Sequence, residues 1–154
     1  MIRRSLLAAV LALAATPAPA LAVQSSGISD PEAWTRELYG RLASGAEDPP
    51  RTVMTLRLRQ AWTEAEEEGG GLDVSPFSDG KGGAITDVRV SGRVVGDAAR
   101  GNRRVVTVDF QSDRPVRLVF YFVRTGYGWF IDEIERDGPG GWTLSVVLRY
   151  GRQR

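Results

Sequence analysis

Apolar and polar positions follow their clearest rule between Val116 and Ile134, in the stretch VRLVFYFVRTGYGWFIDEI. Val116, Leu118, Phe120 and Phe122 recur with a period of two, and Val119, Tyr121 and Val123 fill the intervening positions. Alternate side chains of a strand point to opposite faces, so this segment predicts a strand that is apolar on both sides, hence central in its sheet. Thr125-Gly126-Tyr127-Gly128 predicts the turn, since Gly accepts backbone angles closed to other residues. The return strand spans Trp129 to Arg136, with Trp129 and Ile131 on one face and Phe130, Asp132 and Ile134 on the other. The density of β-branched and aromatic residues speaks against a helix.

Two more alternating segments precede the hairpin. Ala84 to Val95 predicts a first strand, with Val88, Val90 and Val94 opposed to Arg89, Ser91 and Arg93, and with Gly92 as a candidate bulge. Arg103 to Gln111 predicts a second, with Val106, Val108 and Phe110 opposed to Val105, Thr107 and Asp109. Upstream the period changes to that of a helix. Ser29-Asp30-Pro31-Glu32 is a helix start, and Trp34, Leu38 and Leu42 form one stripe ended by Gly45 and Pro49-Pro50. A second helix is predicted from about Arg51 to Glu68, with Met54, Leu58, Ala61, Trp62 and Ala65 inward and Arg57 facing solvent. Its terminal Glu66-Glu67-Glu68 reads as a solvated face rather than a metal site. Leu72 to Gly83 is a Gly-, Ser- and Asp-rich loop pinned by Phe77, without the ligand spacing of a calcium loop. After Asp137-Gly138-Pro139-Gly140-Gly141, the segment Trp142 to Tyr150 reads as a short helix capped by Thr143, with a fifth strand as the alternative.

The first 22 residues change the compartment. Arg3 and Arg4 precede an apolar run from Leu6 to Ala15, and Ala20-Leu21-Ala22 is an A-x-A signal, so cleavage is expected between Ala22 and Val23. The run is too short to span a bilayer. The mature protein is expected in the periplasm or secreted, with no membrane anchor. Loss of Arg3 and Arg4, with no acid lost, takes the formal charge from +1 to −1, which gives no reason to expect nucleic acid. Residues 23–28 read as a mobile lead-in, 29–151 as one domain and 152–154 as a loose tail.

Two helices followed by consecutive, closely connected strands predict an α+β fold: two N-terminal helices on a curved antiparallel four-stranded sheet, with a short C-terminal helix. This order, with Gly128-Trp129-Phe130-Ile131-Asp132-Glu133-Ile134, Leu72-Asp73-Val74-Ser75-Pro76-Phe77 and the closing TLSVVLRYG, resembles the bacterial domain of unknown function 3828 over roughly Asp30 to Gly151. That family is similar to the nuclear transport factor 2-like, or cystatin-like, cone. The resemblance implies the cone fold and carries no established activity.

The chain contains no His and no Cys. This excludes Ser-His-Asp and thiol chemistry and His or Cys metal sites. No phosphate-loop pattern is present, and neither metal nor cofactor is expected. Carboxylate and phenol chemistry remains, with Asp109, Asp132 and Tyr121 as the catalytic candidates, since an acid in an apolar cavity has a raised pKa. Pairing of each Asp with an arginine, for example Arg117 or Arg104, is the competing structural role. Tyr121, Trp129 and Phe120 are the candidate ligand platform. The favoured reading is a non-catalytic binding or accessory domain that holds a small apolar ligand or a protein on the concave sheet face. The alternatives are a small carboxylate enzyme, or a structural domain that forms a homodimer through that face.

Overall fold

The computed structural model describes residues 27–70, 72, 75–80, 84–95 and 102–151. The expected leader, its cleavage point at Ala22 and Val23, and the tail at 152–154 lie outside the described residues.

The elements run α1 (Pro31–Ala43), a 3-10 turn (Arg51–Val53), α2 (Leu56–Glu67), β1 (Thr86–Val94), β2 (Arg103–Gln111), β3 (Pro115–Thr125), β4 (Gly128–Arg136), β5 (Trp142–Thr143) and α3 (Leu144–Tyr150). The five strands form one antiparallel sheet in chain order. The fold class is therefore α+β as expected. The sheet gains a fifth, two-residue strand, and the C-terminal segment is strand first and helix second.

Helices α1 and α2 cover one face of the sheet. The Asp30 carboxylate starts α1 by accepting hydrogen bonds from the Glu32 and Ala33 amides at 2.9 Å, which holds its pKa below the usual carboxylate range. The covered face carries Val106, Val108, Phe110, Val116, Leu118, Phe120 and Phe122, all in the core. Tyr39 and Phe77 complete an aromatic cluster, with Tyr39 5.4 Å from Phe110 and Phe77 6.1 Å from Phe120. The Tyr39 hydroxyl donates to the Phe77 carbonyl at 2.6 Å. A buried phenol thus pins the loop, and burial drives its pKa well up.

Several expectations are corrected. Helix α2 begins at Leu56 rather than Arg51, because Met54 bridges Ile131 and the Thr55 amide donates to the Ile131 carbonyl at 2.8 Å. Met54 is in the core but not on the helix. The segment ending at Ile28 was expected to be mobile, yet Ile28 is 6% exposed and exchanges both backbone hydrogen bonds with Trp129 at 2.8 Å. The bulge of β1 falls between Thr86 and Arg89, with Asp87 at φ +53°, and not at Gly92. Gly92 instead lets α1 approach: an added Cβ would lie 2.6 Å from Glu32 Oε2. A second bulge sets Tyr121 against Glu133 and Phe122 against Ile131, leaving Asp132 as the extra residue of β4. Ile131 and Ile134 are consequently both fully buried on the helix side, and Asp132 does not share a face with Ile134. Thr143 makes no side-chain cap for α3. That role falls to Glu133, whose Oε1 accepts from the Ser145 amide at 3.0 Å.

These contacts cover the outer edge of β4 with three separate segments: Ile28, Met54–Thr55 and β5. Such covering blocks edge-to-edge association.

Candidate functional site

The second face of the sheet is left open by α1 and α2. Its residues follow from the register. One row across the sheet is Arg93, Val105, Tyr121 and Glu133; the next begins Ser91, Thr107 and Val119; the third is Arg89, Asp109 and Arg117, continued by the Asp137 amide, which donates to the Arg117 carbonyl at 3.0 Å. Glu135 stands beside Val119 on β4. Period-two alternation that builds the core on one side therefore builds a mixed surface on the other, with an apolar strip (Val105, Val119, Tyr121, Val123) between charged margins.

A groove of about 800 Å³ lies on this face. Val119, Tyr121 and Thr107 form its floor, α3 supplies Val146 and Val147, and Arg93, Arg114 and Arg117 stand around it. In its middle the Tyr121 hydroxyl donates to Glu135 Oε2 at 2.7 Å. That bond, helped by burial, raises the phenol to about 12. Tyr121 is thus a neutral donor tied to a carboxylate.

The other sequence candidates are not brought together with Tyr121. Asp109 lies two rows away and accepts from Arg117 Nε at 2.7 Å, with its carboxyl 40% exposed. Asp132 sits on the bulge, accepts from Thr55 Oγ1 at 3.1 Å and pairs with Arg57 at 3.4 Å, also 40% exposed. Each is thus arginine-paired at the surface, the arrangement of a structural carboxylate. Arg57 faces solvent as expected and also donates to the Asp132 carbonyl. Phe120 is fully buried on the helix side of the sheet. Trp129 is 5% exposed in the same core, with the guanidinium groups of Arg104 and Arg124 5.3 and 5.9 Å from its ring. Of the three candidate platform residues, Tyr121 alone faces the groove.

One cluster escaped the sequence. The Asp79 carboxylate, 1% exposed, pairs with Arg136 Nε at 2.5 Å, with Arg114 at 3.2 Å, and accepts from Trp142 Nε1 at 2.9 Å. Arg136 also donates to the Pro139 and Gly140 carbonyls at 2.9 and 3.0 Å. The cluster fastens the loop to β4 and β5 and closes one end of the groove. Asp79 and Trp142 are 63 positions apart, and no local signal links them. Among the described residues, no group of His, Cys, Asp or Glu is placed to hold a metal.

Charge is distributed unevenly over the open face. Arg89, Arg93 and Arg103 line its β1–β2 side, and their guanidinium groups form no ion pair among the described residues. Of the acids on this face, Asp109 of β2 is paired with Arg117, and on β4 Glu133 is engaged by α3 and Glu135 by Tyr121.

No family model matches the chain. No curated protein matches it either. Among solved structures it is similar to a phospholipid-binding protein from Ralstonia solanacearum in complex with a phospholipid, at 18% identity and a TM-score of 0.33. The match covers 79% of this chain and 60% of that one.

Proposed function

We propose that this chain is an exported, non-catalytic binding module that holds a small amphipathic ligand on the open face of its sheet. The observation that carries this reading is the groove of about 800 Å³, a volume suited to a small organic ligand. Its floor joins apolar Val119 to the Tyr121 ring and its margin carries arginines. A ligand with an apolar body and a polar or anionic end matches that lining. The leader-like first 22 residues support export. In this reading the sheet is the wall of a nuclear transport factor 2-like cone, related to the domain of unknown function 3828. The enzyme alternative has less support, since Asp109 and Asp132 are each engaged by an arginine at the surface.

The test is native mass spectrometry of the chain purified from its own host, beside a Val119→Trp variant that fills the groove floor. The expected result is a retained small molecule in the wild-type protein that the variant loses at an unchanged melting temperature. Retention by both proteins, or by neither, would overturn the assignment of the groove.

A further inference from the structure

The two edges of the sheet are treated differently. The outer edge of β4 is covered by Ile28, Met54–Thr55 and β5. The outer edge of β1, nine residues long, has no backbone partner among the described residues. A sheet that covers one edge three times and, among the described residues, leaves the other bare presents a ready template for an added strand.

The side chains of β1 restrict what can be added. From Arg89 to Val94 the strand pairs regularly with β2, after the bulge at its start. Arg89, Ser91 and Arg93 project to the open face, and neither arginine has an acid partner among the described residues. Val90 and Val94 project to the other face, and Val94 is 52% exposed. A second copy of this chain is a poor fit. Antiparallel pairing of two β1 strands centred on Ser91 sets Arg89 against Arg93 twice, and like charges directly opposite are destabilising.

We infer that the β1 edge docks an extended acidic segment of a partner protein, which adds as an antiparallel sixth strand. Its carboxylates lie four residues apart, opposite Arg93 and Arg89, at roughly 13 Å along the strand. Apolar side chains at alternate positions lie beside Val90 and Val94. The backbone ladder supplies affinity, and the two arginines set register and select against basic segments. Arg93 also borders the groove, but Arg89 and the backbone edge of β1 lie outside the groove lining, so either assignment can fail alone.

The probe is a capped nine-residue peptide, Thr-Val-Glu-Val-Thr-Val-Glu-Val-Thr, and a control with Lys for both Glu. Binding is read by fluorescence anisotropy and by amide chemical shifts of the full chain. Saturable binding of the acidic peptide is expected, with the largest shifts at Arg89 to Val94 and at least tenfold weaker binding of the Lys peptide. The double variant R89Q/R93Q should abolish that preference at an unchanged melting temperature. Absence of saturable binding, equal binding of both peptides, or shifts centred elsewhere would overturn the inference. So would a dimer of the unliganded chain that protects the β1 amides, since the occupant would then be a second copy.

Discussion

Replacing Asp79 with alanine is the most informative single perturbation. The carboxylate is 1% exposed and the Arg136 side chain 6% exposed. Removing the acid leaves a guanidinium in a site built around a negative charge. Stranding one partner of a buried pair costs about 3–5 kcal/mol. Arg136 keeps its bonds to the Pro139 and Gly140 carbonyls, which places the expectation near the lower end, at about 3 kcal/mol. Against a typical domain stability of about 5–15 kcal/mol, that is a large fraction. Urea unfolding followed by fluorescence of the four tryptophans measures it. Trp142 donates its indole N–H to Asp79, so its emission also reports on the site. The midpoint should fall while the slope stays constant. The double variant Asp79→Ala/Arg136→Met should be more stable than the sum of the single losses implies, because no lone charge remains buried. A loss under about 1 kcal/mol, in the range of an exposed pair, would refute the reasoning. So would strict additivity in the double variant.

Trp129→Ala should cost about 3–5 kcal/mol by emptying a large core site, and a normally stable variant would mean that the β4 hydrogen bonds to Ile28, not the ring, hold that corner. Asp132→Asn should change stability by less than about 1 kcal/mol, as for other exposed pairs; a larger loss in the same urea assay would mark Asp132 as a structural anchor of the α2 start. Tyr121 controls alkaline behaviour. Its phenol is raised to about 12 in the folded protein from an ordinary 10.0, so its stabilising contribution is complete below pH 10 and is lost as pH rises toward 12. Tyr121→Phe should lower stability at neutral pH and fall less steeply between those limits, and parallel stability profiles would count against the Glu135 hydrogen bond.

What is local in this protein was legible in its residues. The strands β2 and β3 fall where alternation placed them, because the pleat sends side chains to two faces regardless of what lies beyond. The start of α1 is as readable, since Asp30 caps amides two and three residues away. The absence of His and Cys removes whole classes of chemistry before any fold is known. Other features belong to the tertiary structure alone. Helix α2 begins late because Thr55 finds a backbone partner in Ile131, and Ile28 is held because Trp129 offers both of its backbone groups. The Asp132 bulge moves Ile131 and Ile134 to one side of the sheet, contrary to a period of two. Asp79 reads as one more loop acid until Arg136 of β4 and Trp142 of β5 reach it. Alternation reports which groups prefer to leave water. It does not report which buried charge meets which partner, because that depends on distances through space that no spacing along the chain encodes.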